Sequence, residues 1–202
     1  MRTVTLLSQK GGSGKTTLSI NLAIAGALQD KSVVIIDLDP QQSAARWARL
    51  RQCENPVIVS GHGPNVADLV ERARAGGADL IIIDTAPKSE NAALAAAKLA
   101  DVVVIPCQPS SLDLDAIADS VNIVQLARKP AFFVLNNCRA SSTLADEAAD
   151  ALGDYGLAIA PVRIGSRVAF VKSLAEGKGV LEHEPGRAAA SEITKLYTYT
   201  VQ

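Results

Sequence analysis

The chain has 202 residues and a formal net charge of −1 at pH 7, so it fits one domain without a generally basic surface. Hydrophobic residues make up 48% of the chain and aromatic residues only 3%, which leaves Ala, Val, Leu and Ile to build the core. This composition favours parallel strands packed against Ala-rich helices over a β-sandwich. Any contact with nucleic acid must therefore come from a local basic patch.

Cysteine spacing and apolar run lengths indicate the compartment. The three cysteines have no CxxC spacing, as is typical of structural thiols in a reducing cytoplasm. The apolar run at residues 4–7 is too short for the core of a signal peptide. The longest apolar stretches have strand length, well short of the roughly 18 residues that a membrane span needs. The sequence predicts a soluble, cytoplasmic protein.

Predicted strands and helices alternate along the chain. The predicted strands are residues 3–7, 32–36, 56–60, 80–83, 102–105, 131–135 and 157–162. The predicted helices are residues 16–28, 44–51, 65–75, 90–100, 112–127, 143–152, 168–175 and 188–197. This order predicts a single α/β domain over residues 1–202, with a doubly wound, mainly parallel sheet flanked by helices. Ligand residues in such sheets follow the carboxyl ends of the strands.

The segment LLSQKGGSGKTTLSINLA (residues 6–23) holds a glycine-rich loop between the first strand and the first helix. Glycines in such a loop allow backbone N–H groups to face a phosphate, and the helix N-terminus adds a favourable dipole. Lys15 can then reach the β- and γ-phosphates, while the Thr16 hydroxyl can hold Mg²⁺. The predicted nucleotide-binding residues of the loop are Lys10, Gly11, Gly12, Ser13, Gly14, Lys15, Thr16 and Thr17.

The ordinary loop pattern GxxxxGK[ST] requires glycine at position 9, where this chain has Gln9 followed by Lys10. The pattern x-K-G-G-x-G-K-[ST] resembles the deviant Walker A box of the ParA/MinD family of ATPases. The chain looks most like the small ParA type, which lacks an N-terminal DNA-binding extension. The resemblance implies a P-loop NTPase fold, ATP and Mg²⁺ as ligands, and a homodimer that forms on ATP binding.

The same resemblance implies a role for each lysine of the loop. Lys15 serves the nucleotide of its own subunit. Lys10 crosses the dimer interface and reaches the nucleotide of the partner subunit. A cation supplied by a second chain stabilises charge on the phosphoryl group that is transferred. Lys10 and Lys15 are therefore predicted catalytic residues.

Carboxylates follow two of the predicted strands. The segment VVIIDLDPQQS resembles the D-x-D-P-Q segment of the family, which implies that Asp37 lies near Mg²⁺ and that Asp39 orients the attacking water. From the residues alone, a strand-to-helix turn with Asp39 as the helix cap remains open. The segment LIIIDTAP has the form of a Walker B strand, in which Asp84 holds Mg²⁺.

Two later segments resemble the parts of the family that contact the nucleotide base. In FFVLNNCR, Asn136 is predicted to contact the adenine ring. In the segment that begins APVRIGS, Pro161 and Val162 are predicted to lie beside it.

A basic segment makes DNA the predicted partner. Residues 163–179 contain four basic residues and one acidic residue, Glu176, which suits contact with phosphates, although an ordinary solvated face would look the same. The four predicted DNA-contacting residues are Arg163, Arg167, Lys172 and Lys178. The resemblance implies an ATP-bound dimer that binds nucleoid DNA without sequence preference. A ParB-like centromere-binding partner then stimulates slow ATP hydrolysis, and plasmid or chromosomal DNA is segregated.

Two other outputs of the family remain as alternatives. A MinD-like protein binds membranes through a basic amphipathic helix at its C-terminus. The final segment AAASEITKLYTYTVQ has one lysine and few large apolar residues, so we expect no stable membrane association. Positioning of a protein cargo instead of DNA is the second alternative, and the sequence does not separate it from partition.

Overall fold

Seven parallel strands form one sheet in the computed structural model, which describes residues 1–140 and 142–202. The strands are β1 (Arg2–Leu6), β2 (Val33–Asp37), β3 (Val57–Ser60), β4 (Leu80–Asp84), β5 (Val102–Cys107), β6 (Ala131–Leu135) and β7 (Ala158–Ile159). Their order across the sheet is β3-β2-β4-β1-β5-β6-β7. The predicted doubly wound parallel sheet is confirmed. Strands β4 and β5 lie on opposite sides of β1, so the connection between them crosses β1. The loop after β1 therefore lies where the strand order reverses, which is the usual ligand position of such sheets.

The helices lie on both faces of this sheet. They are α1 (Lys15–Ala27), α2 (Ser43–Ala48), α3 (Val66–Ala75), α4 (Glu90–Leu99), α5 (Leu114–Ala127), α6 (Leu144–Gly153), α7 (Val168–Ala175), α8 (Val180–His183) and α9 (Ala188–Val201). Alternation along the strands divides the core between the two faces. On β2, Ile35 packs with the layer that contains α1, α2, α7, α8 and α9, whereas Ile36 packs on the opposite side with α3 and α4. The Ala-rich helices α4 and α6 cover that second face.

The structure departs from the predicted elements mainly after residue 157. The predicted strand 157–162 reduces to β7, which is two residues long. The chain continues beside β6, because the Ala160 amide donates to the Phe133 oxygen and the Ile164 amide donates to the Leu135 oxygen, but Pro161 has no N–H to extend a ladder. Helix α8 was not predicted, because a four-residue helix is too short to produce a periodic pattern.

Helix α9 packs along the core. Its buried side chains include Ile193, Leu196 and Tyr197, and they belong to the same cluster as the apolar residues of α1. The apolar face of α9 is therefore already covered by protein and is not presented to a lipid surface. Across the described part of the chain, no helix combines the length and hydropathy needed to pass through a bilayer.

Candidate nucleotide-binding site

The loop between β1 and α1 forms one wall of a cavity of about 290 Å³. Gly12 and Gly14 have φ angles of +74° and +98°, in the left-handed region that favours glycine. Gly14 directly precedes α1, so the first N–H groups of that helix point into the cavity region. The cavity is lined by Gly12, Ser13, Gly14, Lys15, Thr16, Thr17, Asp39, Ser43 and Pro87. The structure therefore brings the predicted loop residues 12–17 together with Asp39 around one cavity, which we call the phosphate cavity.

Lys15 is buried, and its ammonium group folds back onto the loop. The Nζ atom donates to the main-chain oxygen of Ser8 at 3.0 Å and to that of Lys10 at 3.2 Å. Burial lowers the pKa of Lys15, while the nearby carboxylates of Asp84 and Asp39 act in the opposite direction. A positive charge that is held by carbonyl oxygens in a phosphate-binding loop can exchange those oxygens for phosphate oxygens.

Lys10 does not line the phosphate cavity of its own chain as far as the described residues define it. It borders a second, small cavity together with Pro106, Cys107 and Asp113. Burial raises the pKa of the Cys107 thiol to about 12, and the positive charge of Lys10 partly offsets this effect. The two lysines of the loop are therefore directed to different surroundings.

Asp84 ends β4 as a fully buried carboxylate. Its pKa is raised to about 7, chiefly by burial and also by the Asp37 carboxylate, although the hydroxyls of Thr16 and Ser19 and the charge of Lys15 act in the opposite direction. Neither carboxylate oxygen has a well-formed hydrogen bond to another described residue. A buried carboxylate without such partners, beside the Thr16 hydroxyl and the phosphate cavity, has the oxygen chemistry that Mg²⁺ prefers. Asp84 and Thr16 thus fit the predicted metal site.

Asp37 lies next to Asp84, because the two are paired in the register of β2 and β4. Its carboxylate oxygens accept hydrogen bonds from three backbone amides. Oδ1 accepts from the Asp39 amide at 3.0 Å, and Oδ2 accepts from the Ala44 amide at 3.1 Å and more weakly from the Ala45 amide at 3.4 Å. Burial raises the pKa of Asp37, and these three amides act against the rise. Asp37 thus stabilises the first turn of α2, whereas its contact with Mg²⁺ remains a prediction.

Asp39 follows in the segment between β2 and α2. Its Oδ1 accepts from the Gln41 amide at 2.8 Å, and the side chain borders the phosphate cavity. Helix α2 begins after Gln42, whose φ angle is +51°, so Asp39 is not the helix cap that the sequence left open. The carboxylate that caps α2 belongs to Asp37, and Asp39 is left to face the cavity.

Asn136 holds the phosphate loop from the neighbouring strand. Its side-chain Nδ2 atom donates to the main-chain oxygen of Ser13 at 2.8 Å, and its backbone N–H donates to the main-chain oxygen of Cys107 at 2.8 Å. The Nε2 atom of Gln108 donates to the Gly12 oxygen at 2.6 Å. A Cβ atom at Gly14 would overlap the Asn136 amide, so glycine is required there for space as well as for its φ angle. The sequence predicted an adenine contact for Asn136, and its observed partner is the loop.

The other two residues predicted beside the base have different exposures. Pro161 is exposed, whereas the Val162 side chain is buried in the core cluster that also contains Ile164. The segment runs next to Asn136, because Cys138 and Gly165 form an isolated parallel bridge. The exposed Pro161 ring can therefore contact a base, whereas the Val162 side chain anchors this segment in the core.

Sequence reasoning missed the residues that brace α2 against the segment Gly177–Glu182. The Trp47 Nε1 atom donates to the Lys178 oxygen at 3.1 Å. Arg51 donates to both carboxylate oxygens of Glu182 at 2.9 Å, and its guanidinium lies over the Trp47 ring. Hydrogen bonding from Arg51 and from the Gly179 amide lowers the pKa of Glu182 against the opposing effect of burial. These partners are more than 120 positions apart in the chain, so no local pattern reveals them.

Helix α1 is attached to the same segment. Asn21 on α1 accepts from the Val180 amide at 2.9 Å and donates to the Thr17 oxygen at 2.8 Å. A Cβ atom at Gly179 would overlap Asn21 and Ile24. The phosphate-loop helix and α2 therefore share one support at the start of α8.

Three of the four predicted DNA-contacting residues form ion pairs. Arg163 pairs with Asp146, Arg167 pairs with Glu192, and Lys178 pairs with Glu176. Asp146 and Glu192 lie outside the basic segment, so the folded surface is less positive than the segment alone. Of the four, Lys172 is exposed and forms no ion pair with another described residue.

Residues 4–180 match the family described as CobQ/CobB/MinD/ParA nucleotide binding domain. The chain belongs to this family. Its loop, its sheet and its carboxylates at the ends of β2 and β4 are those of a ParA/MinD-type ATPase domain, which confirms the resemblance found in the sequence.

Relatives within this family include two proteins named maintenance of carboxysome distribution protein A. The protein from Gloeobacter kilaueensis is 32% identical and covers 95% of this chain and 89% of its own. The protein from Halothiobacillus neapolitanus is 28% identical, and the match covers 96% of this chain and 94% of that protein. The chromosome-partitioning ATPase Soj of Thermus thermophilus is 33% identical, over 58% of this chain and 59% of its own. The structure of apo McdA from Cyanothece matches the whole fold with a TM-score of 0.81 at 19% identity, covering 100% of both chains.

Proposed function

We propose that this chain is a positioning ATPase that hydrolyses Mg·ATP to ADP and phosphate within an ATP-dependent homodimer. The observation that carries the proposal is the convergence of Lys15, Thr16 and Asp39 on one cavity, with the buried carboxylate of Asp84 beside them. A cation, a hydroxyl, a water-facing carboxylate and a metal-binding carboxylate are the groups that phosphoryl transfer requires.

Each of these four residues has a part in the proposed reaction. The N–H groups of the loop and the start of α1 bind the phosphates, and Lys15 leaves the oxygens of Ser8 and Lys10 to pair with the β- and γ-phosphates. When bound, Mg²⁺ neutralises charge on the phosphate oxygens, with Thr16 and Asp84 as its supporting residues. Asp39 orients the water that attacks the γ-phosphorus.

The different surroundings of the two lysines support the proposed dimer. Lys15 is committed to the cavity of its own chain, whereas Lys10 borders another cavity. Insertion of Lys10 into the partner's site supplies a second cation to the γ-phosphate and makes the dimer dependent on ATP. Hydrolysis removes that phosphate, so the dimer has a finite lifetime, which a partner protein shortens by stimulating hydrolysis.

The ATP-bound dimer binds nucleoid DNA in the cytoplasm without sequence preference, and its cargo is a large protein assembly. Support for a protein cargo comes from the two carboxysome-distribution relatives, which match this chain over nearly their whole length. Segregation of plasmid or chromosomal DNA with a ParB-like partner is the second candidate, supported by the partial match to Soj. The covered apolar face of α9 argues against α9 itself as a lipid-binding helix.

Co-sedimentation with DNA tests this proposal directly. The protein is mixed with DNA of unrelated sequences, or with anionic liposomes, in the presence of ATP, ADP or a non-hydrolysable ATP analogue. We expect DNA binding with ATP and the analogue but not with ADP, and no nucleotide-dependent binding to liposomes. Equal DNA binding in all nucleotide states would contradict a positioning ATPase.

The cargo needs a second measurement. A fluorescent fusion of the chain is imaged in its host together with candidate cargos. Even spacing of a protein assembly that is lost on deletion, with plasmids and chromosomes inherited normally, supports a protein cargo. Loss of plasmids or of chromosome segregation with normally spaced assemblies would assign the chain to DNA partition instead.

A further inference from the structure

Two acid-free segments of the chain meet at one side of the nucleotide site. Residues 40–53 contain three arginines and no Asp or Glu, and residues 155–175 likewise contain basic residues but no acid. Helix α2 lies in the first segment and α7 in the second. Both helices border one cleft, which is lined by Ser43, Arg46 and Trp47 of α2 and by Leu174 and Ala175 of α7. Directly after α7, the Lys178 oxygen accepts from the Trp47 Nε1 atom, and a Cβ atom at Gly177 would overlap the Leu50 backbone. The acidic residues nearest this junction, Glu176 and Glu182, pair with Lys178 and Arg51, so the positive charge that remains lies on α2, on the turn after it and on α7.

Three cations on this junction are exposed and have no acidic partner among the described residues. Arg46 and Arg49 are three positions apart and share the outer side of α2 and of the turn that follows it. Lys172 is exposed on α7, three positions before Ala175, which borders the cleft between the two helices together with Arg46. We call Arg46, Arg49 and Lys172 the α2–α7 surface. None of them is within ion-pair distance of a described carboxylate, in contrast to Arg163, Arg167 and Lys178.

We propose that the α2–α7 surface binds the phosphate backbone of DNA, and that α2 makes this binding depend on the nucleotide. The inference rests on the DNA binding of the proposed function and assigns it to a place in the fold. Cations without a protein counter-charge gain the most from contact with phosphates, because their counterions are released and no existing ion pair has to be broken. Three such cations on each subunit give six in a dimer.

The link to the nucleotide is the attachment of α2 at both ends. At its start, the Asp37 carboxylate accepts from the Asp39, Ala44 and Ala45 amides, so the residue that faces the phosphate cavity and the first turn of α2 are held by one side chain. At its end, Trp47 and Arg51 attach the helix to the segment that also holds α1. We expect a nucleotide that displaces Asp39 to shift the start of α2 while its end stays attached, so that Arg46 moves relative to Lys172.

The cleft between α2 and α7 extends from the phosphate loop to α7. It has a volume of about 420 Å³ and is bordered by Thr16 and Thr17 of the phosphate loop at one end and by Leu174 and Ala175 of α7 at the other. Exposed apolar side chains also lie on α7, at Val168 and Val171. Because basic and apolar groups together also suit an anionic lipid surface, vesicles form one arm of the test.

The test compares charge-removing and charge-preserving variants of the intact chain. In the double variant Arg49→Gln/Lys172→Gln, we expect the affinity for DNA in ATP to fall by about tenfold or more at moderate salt. The slope of log affinity against log salt concentration should fall by about one for each cation removed, which is about four for the dimer. The variant Arg49→Lys/Lys172→Arg should keep the DNA affinity and the salt-dependence slope of the unmodified chain. Fluorescence anisotropy of labelled DNA, titrated at several salt concentrations, measures them.

The control removes the same charge elsewhere. Lys98 on α4 and Arg128 after α5 are exposed on the other face of the sheet, and Lys98→Gln/Arg128→Gln should leave the affinity for DNA within about twofold of the unmodified chain. An equal loss in the control, or no loss in Arg49→Gln/Lys172→Gln while the unmodified chain binds DNA, would overturn the inference alone. Absence of ATP-dependent DNA binding by the unmodified chain would contradict the proposed function itself. ATP-dependent binding to phosphatidylglycerol vesicles instead of DNA, lost in the same variant, would assign the surface to lipid.

Discussion

The side-chain amide of Asn136 donates a 2.8 Å hydrogen bond to the main-chain oxygen of Ser13, which lies 123 positions earlier in the chain. The bond joins the end of β6 to the phosphate loop, and a second one from Gln108 to Gly12 joins the end of β5 to it. Two neighbouring strands thus hold the loop from outside, which limits the entropy that it loses when a nucleotide binds.

Replacement of Asn136 by Ala should weaken ATP binding about tenfold, since one buried hydrogen bond to the loop is lost and the Ser13 oxygen is left without its donor. Inorganic tripolyphosphate, which has no base, separates this role from an adenine contact. If Asn136 positions the loop, the affinities for ATP and tripolyphosphate fall by the same factor. An unchanged affinity for tripolyphosphate would favour the adenine contact that the sequence predicted. Asn122→Ala on the exposed side of α5 is the control.

Asp84 should make the nucleotide-free protein less stable as the pH rises. Its pKa is about 7 in the folded chain against 3.8 for the free side chain, so the folded state binds the extra proton between these values. The stability contributed by the neutral carboxyl is complete below about pH 4, declines up to about pH 7 and stays low above it.

The Asp84→Asn variant should therefore gain stability over the unmodified chain as the pH rises, by up to about 4 kcal/mol at pH 8, since one pKa unit corresponds to about 1.4 kcal/mol. Urea unfolding at pH 5 and pH 8 measures the difference. The same variant should lose the stabilisation that Mg·ATP gives the unmodified chain, because its amide cannot replace a metal-binding carboxylate. A pH-independent difference would contradict the raised pKa.

The sequence predicts the strands well because a buried parallel strand is a continuous apolar run, and β2 and β4 each end on an aspartate. The position of the glycine-rich loop between β1 and α1 is predicted equally well, because its glycines and Lys15 are adjacent in the chain. The support of α2 is not predictable in this way. Arg51 and Glu182 have no local pattern, and their contact exists only once the fold has brought α8 beside α2.

The basic segment 163–179 illustrates the same limit for electrostatics. Counting charges within the segment leaves out Asp146 and Glu192, which approach Arg163 and Arg167 from α6 and α9. The Asp37 carboxylate is a second example. Its three amide donors lie within eight positions, but only the observed turn shows that they are directed at one side chain.

Lys15→Ala should reduce the affinity for ATP by at least about 100-fold, because the buried ammonium group is the cation of the phosphate cavity. Fluorescence of a labelled ATP analogue measures the binding. Circular dichroism of the variant checks that the loop change leaves the fold intact. Retained ATP turnover by a folded Lys15→Ala variant would refute the assignment of the phosphate loop.

Lys10→Ala should bind ATP with nearly unchanged affinity, because Lys10 does not border the phosphate cavity of its own chain. Partner-stimulated hydrolysis should fall by at least about 100-fold, as expected when a cation supplied in trans is removed. The mass in solution with a non-hydrolysable analogue should remain that of a monomer. Normal stimulated hydrolysis by this variant would mean that Lys10 has no role across the interface.

Asp39→Ala should bind ATP and remain bound to DNA while turnover falls by about 100-fold or more, because the water that attacks the phosphate is no longer oriented. Its affinity for ATP should change little, since the Lys15 contacts are retained. Dissociation from DNA after ATP is removed measures the lifetime of the bound state. A variant that releases DNA as fast as the unmodified chain would exclude this role for Asp39.

The support at Gly177–Glu182 has a consequence for the order in which the protein matures during translation. Arg51 and Glu182 are 131 positions apart, and Asn21 and Val180 are 159 positions apart. The ribosome therefore releases the glycine-rich loop long before the residues that hold its helix in place. A nascent chain stalled before residue 177 contains every predicted phosphate-binding residue but lacks these contacts, so we expect it to bind ATP more weakly than the full chain.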